Sequence, residues 1–125
     1  MIDHISVGVS DLDRSARFYG AALAALGLTR LVTRPRTVGF GKAYPEFWIN
    51  LRDGMPRVGP ESGVHICLRA KTTAEVDAFH AAALATGGAS DGAPGIRPHD
   101  RVRYYAAFVF DPDGNRIEAV TFPSE

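Results

Sequence analysis

"HISVGVSDLDRSARFYGAALAALG" (residues 4–27) and "HICLRAKTTAEVDAFHAAALATGG" (residues 65–88) are two versions of one segment. Sliding the first over the second by 61 residues (65 − 4 = 61) needs no gap. His4 then falls on His65, Ile5 on Ile66, Phe18 on Phe79 and Gly27 on Gly88. Alanine-rich stretches match one another easily, but the His-Ile pair and the Phe are not products of composition. An internal repeat is the first feature to settle in any chain, because it sets the architecture.

Each copy opens with an alternating stretch. Ile5, Val7 and Val9 share one face and His4, Ser6 and Gly8 the other, the period of a half-buried strand. In the second copy Ile66, Leu68 and Ala70 oppose His65, Cys67 and Arg69. A helix follows in each copy. Asp11 is placed to cap the first, and Thr72 with Glu75 three residues on makes a capping box for the second. Gly27 and Gly87-Gly88 stop the helices. Strand-like pieces come next: "TRLVT" (29–33), "TVGF" (37–40) and "EFWINL" (46–51) in the first half. In the second half a glycine- and proline-rich stretch (87–98) leads to "RYYAAFVF" (103–110), and the "DPDG" turn reverses the chain into "NRIEAVTF" (115–122). The pattern predicts an α+β fold of two βαβββ modules, residues 1–53 and 63–125, joined by a linker at 54–62, with curved mixed sheets and helices outside.

Composition narrows the function classes. The 125 residues are 46% hydrophobic, enough for one core, and the formal net charge is +0. Such a balance gives no electrostatic footprint for DNA or RNA. No apolar run is long enough to span a bilayer, and "MIDHISVGVSD" lacks the basic start of a secretory signal. The single cysteine, Cys67, has no partner for an internal disulfide, so a reducing cytoplasm is the expected setting.

Strand periodicity also sorts the polar residues. Ile117, Ala119 and Thr121 face a helix, while Arg116, Glu118 and Val120 face away. Phe47, Ile49 and Leu51 face a helix, while Glu46, Trp48 and Asn50 face away. His4, His65, Glu118 and Asn50 therefore share the faces that a curled sheet turns into a trough. A lone His on a strand is more often a surface residue. Two at equivalent positions of a repeat, with a Glu on the closing strand, form a set. Two imidazoles and a carboxylate can hold a divalent metal with positions left open for substrate.

With these residues the chain resembles the vicinal-oxygen-chelate superfamily of glyoxalases, bleomycin-resistance proteins, extradiol dioxygenases and fosfomycin-resistance thiol transferases. The resemblance runs from "DHISVGVSDLDRSARFYG" through "SGVHICLRA" to "DPDGNRIEAV". It implies paired βαβββ modules and, residue by residue, the metal ligands His4, His65 and Glu118. A fourth family position falls in "FWINL", where glyoxalase I has Glu and this chain aligns Asn50. The resemblance also implies a homodimer in which one chain supplies the first-module ligand and the other His65 and Glu118. The expected function is metal-dependent chemistry on a small oxygen-bearing metabolite: lyase or isomerase, thiol transferase, or dioxygenase. Fe(II) favours oxygen insertion; Ni, Zn or Mn the others. The alternative is a metal-free drug- or metabolite-binding protein of the bleomycin-resistance type.

Other candidates surround this set. Trp48 and Phe108 offer apolar walls, and Tyr104, on the same strand face as Phe108, offers a hydrogen bond to a substrate oxygen. The loop "IRPHDRVR" (96–103) brings Arg97 as an anion contact and His99 as an acid-base group. Cys67 lies on the trough face as a small inert thiol, and His80 sits on the surface of the second helix.

Overall fold

Ile5–Val9 forms the first strand, β1, and Leu12–Ala24 the helix α1. Asp11 caps α1 by accepting from the Arg14 N–H at 3.0 Å. Strands β2 (Thr29–Arg34), β3 (Thr37–Gly41) and β4 (Pro45–Leu51) complete the first module. The second repeats it with β5 (His65–Arg69), α2 (Thr73–Ala85), β6 (Ala89–Arg97), β7 (Tyr104–Phe110) and β8 (Arg116–Thr121). This architecture comes from a computed structural model that describes residues 1–124. Thr72 accepts from Glu75 N–H at 3.1 Å, and Glu75 reaches back to the N–H of Lys71, one residue before the cap. Gly27 and Gly87 end the helices at φ of +83° and +98°, values that suit residues without a Cβ.

The two sheets have matching orders, β1-β4-β3-β2 and β5-β8-β7-β6. In each, the first strand runs parallel to the last and the remaining pairs are antiparallel. The expected α+β architecture of two βαβββ modules is the one observed. The glycine- and proline-rich stretch differs from its reading as a lead-in segment: residues 89–97 form a nine-residue edge strand. Gly92, Pro94 and Gly95 erase the alternation that marks a strand, and the ladder with β7 slips twice, around Gly92. An outer edge tolerates both the bulges and the proline.

One core serves both modules. Phe18, Tyr19 and Leu23 of α1, Phe40 of β3, Phe47 and Ile49 of β4, Phe79 of α2 and Ile117 of β8 are essentially solvent-free and belong to one cluster. Each such side chain contributes roughly 1.5–3 kcal/mol on burial. The spacing of the buried positions on α1, from Ser15 and Ala16 through Phe18 and Tyr19 to Ala22 and Leu23, is the stripe of an amphipathic helix. Among the described residues, no helix is long and apolar enough to cross a membrane.

The "DPDGN" turn ties the modules together. The Asp111 carboxylate is 1% exposed. It accepts from Tyr19 Oη of α1 at 2.6 Å and from the N–H groups of Asp113 and Asn115 at 2.9 and 2.8 Å. The Asn115 carboxamide adds a donor to Asp111 and another to the carbonyl of Gly8 on β1, 3.0 Å away. Asp113 accepts from the Ser10 N–H at 3.0 Å and from Arg14 Nη2 at 3.3 Å. Burial raises the Asp111 pKa above its ordinary 3.8, although these donors pull it down. Burial and the Asp111 charge push the Tyr19 phenol well above 10.0, so it remains a donor.

Two outcomes follow for stability. Tyr19→Phe leaves the carboxylate short of a buried donor, and urea titration should register a loss of about 1–3 kcal/mol. The raised Asp111 pKa means that the folded state holds the proton more tightly than the unfolded state. The stability from this group is full below the unfolded pKa and is lost as pH rises through the folded one. Relative to Asp111→Asn, the wild-type protein should therefore lose stability between acid and neutral pH; a gain over that range refutes the assignment.

Candidate active site

The second module presents its acid on the open face of the sheet. Parallel pairing of β5 with β8 sets Cys67 against Glu118, and β7 sets Phe108 against Glu118 from the other side. Alternation then brings His65, Cys67, Tyr104 and Phe108 to the face that carries Glu118. Glu118 is only 2% exposed. Its Oε1 lies 3.1 Å from His65 Nε2, and its Oε2 accepts from the Tyr104 hydroxyl in a very short hydrogen bond. A buried carboxylate needs such partners. Tyr105, the next residue, points to the opposite side and bonds Asp77 of α2.

Tyr104 is held by aromatic contacts. The His99 ring stacks on it at 5.9 Å between centroids, and Phe122 meets it edge-on at 5.5 Å. Loss of solvation, then the bond to Glu118, pushes its phenol well above 10.0. His99 Nδ1 accepts from the N–H groups of Arg101 and Val102 at 3.1 and 3.3 Å. The structure thus places His99 against Tyr104, with one ring nitrogen committed to its own loop. Arg97 is also committed: it donates to the carbonyls of Gly95 and Ala93 at 3.0 and 2.6 Å and stacks 5.4 Å over Phe108. His80 bonds Ser90 of β6 at 2.8 Å, away from this face.

The first module has an open face of its own. His4, Ser6, Arg34, Thr37, Trp48 and Asn50 line a pocket of about 330 Å³. His4 Nδ1 lies 2.7 Å from Asp3, whose other oxygen accepts from Tyr44 Oη at 2.9 Å. These two bonds, His4 first, hold the Asp3 carboxyl below its ordinary pKa of 3.8. Asp3 is therefore the acceptor and His4 Nδ1 the donor, so Nε2 is the ring nitrogen that Asp3 does not engage. Carboxylates orient metal-binding imidazoles in this manner. Asn50 Oδ1 accepts from Thr37 Oγ1. Trp48 lies on Gly39, where a Cβ would come within 2.8 Å of the indole.

The registers fix which positions of the two closing strands correspond. Ile5 pairs with Phe47 where Ile66 pairs with Ile117, so Ser6 pairs with Trp48 where Cys67 pairs with Glu118. The first-module counterpart of Glu118 is Trp48, and Asn50 matches Val120. Indole cannot supply a ligand there.

His65 and Glu118 are brought together; His4 does not join them within the chain. His4 and His65 line a cleft of about 380 Å³ between the inner strands β1 and β5. Among the described residues, no three His, Cys, Asp or Glu side chains gather closely enough to hold a metal. The donor chemistry still suits one. An imidazole beside a buried carboxylate, with a second imidazole presenting a free Nε2, matches divalent Zn, Ni, Mn or Fe. Sequence reasoning missed Asp3 and Tyr44. The adjacent "DH" at residues 3–4 was a usable signal for the first; nothing marked the second.

Cys67 offers a direct reading of this environment. The residue is exposed overall, yet packing around the sulfur and then the Glu118 charge push the thiol pKa up to about 12. At neutral pH DTNB should modify this sole cysteine slowly despite its exposure, because the thiolate is the reacting form. Glu118→Gln removes the neighbouring charge and should speed the reaction; an unchanged rate contradicts the coupling.

The comparisons with known proteins agree with the fold. A model of the Glyoxalase/Bleomycin resistance protein/Dioxygenase superfamily matches residues 1–119. A glyoxalase/bleomycin resistance protein from Albidiferax ferrireducens T118 is 35% identical, with 94% of this chain and 96% of that one covered and a TM-score of 0.84. A glyoxalase-related enzyme from Fulvimarina pelagi shares the fold at 20% identity, 96% and 86% coverage and a TM-score of 0.72. The fosfomycin resistance protein FosX from Listeria monocytogenes does so at 19% identity, 96% and 91% coverage and a TM-score of 0.66. The search of curated proteins found no match. By its sequence over residues 1–119 and by its paired modules, the chain belongs to the glyoxalase/bleomycin resistance protein/dioxygenase superfamily.

Proposed function

We propose that the protein is a metal-dependent enzyme acting on a small metabolite with adjacent oxygen atoms. The observation that carries this reading is the buried Glu118 carboxylate, joined to His65 Nε2 on the open face of the second module. His65, Glu118 and His4 would hold a divalent ion. When bound, that ion supplies a Lewis acid for charge developing on a substrate oxygen.

The other side chains have separate tasks. Tyr104 occupies Glu118 Oε2, leaving Oε1 as the oxygen that faces His65. With its phenol pushed above the ordinary range, Tyr104 is a hydrogen-bond donor, not a base, at neutral pH. His99 and Phe122 hold the Tyr104 ring in place. Trp48 and Phe108 supply apolar walls, and Asn50 contributes a carboxamide whose oxygen lies within reach of Thr37 Oγ1. Lyase or isomerase, thiol-transfer and dioxygenase reactions all suit this arrangement, and no side chain singles one out.

The ligand set is completed, in this reading, across a homodimer. His4 of one chain meets His65 and Glu118 of the other. That no three such donors gather within one chain, among the described residues, fits such sharing. A metal-free binding protein is the second reading. It is favoured by the Glu118 carboxylate finding full satisfaction in His65 and Tyr104 alone.

Metal uptake by untagged protein separates the two. Added Mn, Ni, Zn or Fe(II) should bind to wild-type protein and not to His65→Ala; equal uptake by both overturns the ligand assignment. Mixing His4→Ala with His65→Ala tests the sharing. If sites are shared between chains, the mixed dimer keeps one intact site and metal uptake partly returns. If each chain builds its own site, mixing restores nothing.

A further inference from the structure

The pocket of the first module has a composition of its own. Its floor is Trp48, the chain's only tryptophan, and the indole lies against the bare backbone of Gly39. A Cβ there would sit 2.8 and 2.9 Å from two indole carbons and 3.0 Å from Pro45 Cβ. That glycine lets the indole approach the sheet more closely than an ordinary residue would allow. The Arg34 guanidinium stands 5.8 Å from the centroid of the same ring. That distance is the far limit of a cation–π contact, so Arg34 is near the ring without being fixed by it.

Among the polar groups around this floor, the Arg34 guanidinium and the Asn50 carboxamide carry donors. Thr37 Oγ1 lies within reach of both the Ile49 carbonyl and Asn50 Oδ1, and the Asn50 NH₂ is free to donate. His4 presents Nε2 at the rim, and Ser6 its hydroxyl. No carboxylate lines the pocket. Two residues on, Arg36 is paired with Asp53 at 2.8 Å; Arg34 has no ion-pair partner among the described residues. A flat apolar floor, an unneutralised guanidinium and an amide donor call for a flat ligand bearing acceptor oxygens and negative charge. Guanidinium recognises carboxylate with two parallel hydrogen bonds, and an indole face prefers another ring over an aliphatic body of the same size. The site, about 330 Å³, is open more than enclosed, so a flat ligand would lie across it and stay partly in solvent.

We infer that this pocket binds the planar ring of an aromatic carboxylate, stacked on Trp48 with its carboxylate on Arg34 and Asn50. This deepens the proposed function by naming the class of substrate. It rests on that reading only in taking the trough as the place of the substrate, since no metal is needed for the stack or the ion pair.

Trp48 emission reports the pocket directly. Metal-stripped wild-type protein is titrated with benzoate, with cyclohexanecarboxylate (same charge, no flat ring) and with benzyl alcohol (same ring, no charge). Benzoate should quench saturably, and each of the others should bind about tenfold more weakly or worse. Arg34→Gln, an exposed substitution that leaves the core untouched, should weaken benzoate by a similar factor and leave benzyl alcohol unchanged. His65→Ala should keep the benzoate affinity while losing metal uptake, so failure of the metal centre and failure of this pocket read out separately. Equal affinity for benzoate and cyclohexanecarboxylate, no response to benzoate, or indifference to Arg34→Gln each overturns the proposal.

Discussion

The buried carboxylate of Asp111 is the constraint on which the rest depends. Charge without solvent must be satisfied locally, and its donors come from both modules: Tyr19 from α1 and Asn115 from the turn before β8. Asn115 spends its other amide hydrogen on Gly8 of β1. The same turn gives Asp113 to Ser10 and Arg14. The residues that start β8, and with it the presentation of Glu118, are thereby fixed to the strand and helix that follow His4. The five-residue loop "DPDGN" adds polar ties between the modules to the apolar core that they share.

Much of this was legible from the repeat and from strand alternation. Those two signals separate Tyr104 from Tyr105, put Phe108 beside Glu118 and send Phe47 and Ile49 to the core. They fail where local order is set by neighbours instead of by pattern. Ala89–Arg97 is a strand because β7 pairs with it, and its glycines and proline hide that. The equivalence of Trp48 with Glu118 was hidden by unequal loops: the opening strands are offset by 61 residues, the closing ones by 70 (118 − 48 = 70). Alternation says which face a residue takes but not how far apart two sheets stand. His4 therefore shares a face type with His65 and Glu118 without sharing their cluster.

The two halves divide the chemistry between them. The second module concentrates an acid, a phenol and an imidazole within hydrogen-bonding reach. The first offers donors around an aromatic floor and no acid in its pocket. Duplicated frameworks allow this, because helices and core residues carry the fold and the open-face positions are free to differ. Even the histidines differ in their support. His4 is oriented by Asp3, itself steadied by Tyr44, while His65 faces Glu118 directly.

The outer strands settle another matter. Both β2 and β6 carry breaks in register, between Arg30 and Val32 in one and on either side of Gly92 in the other. The inner edge strands β1 and β5 pair with their neighbours without a slip. An irregular edge offers a passing strand no continuous ladder, whereas a regular edge does. Growth of the sheets by strand addition is thus blunted at β2 and β6, while β1 and β5 carry unbroken ladders.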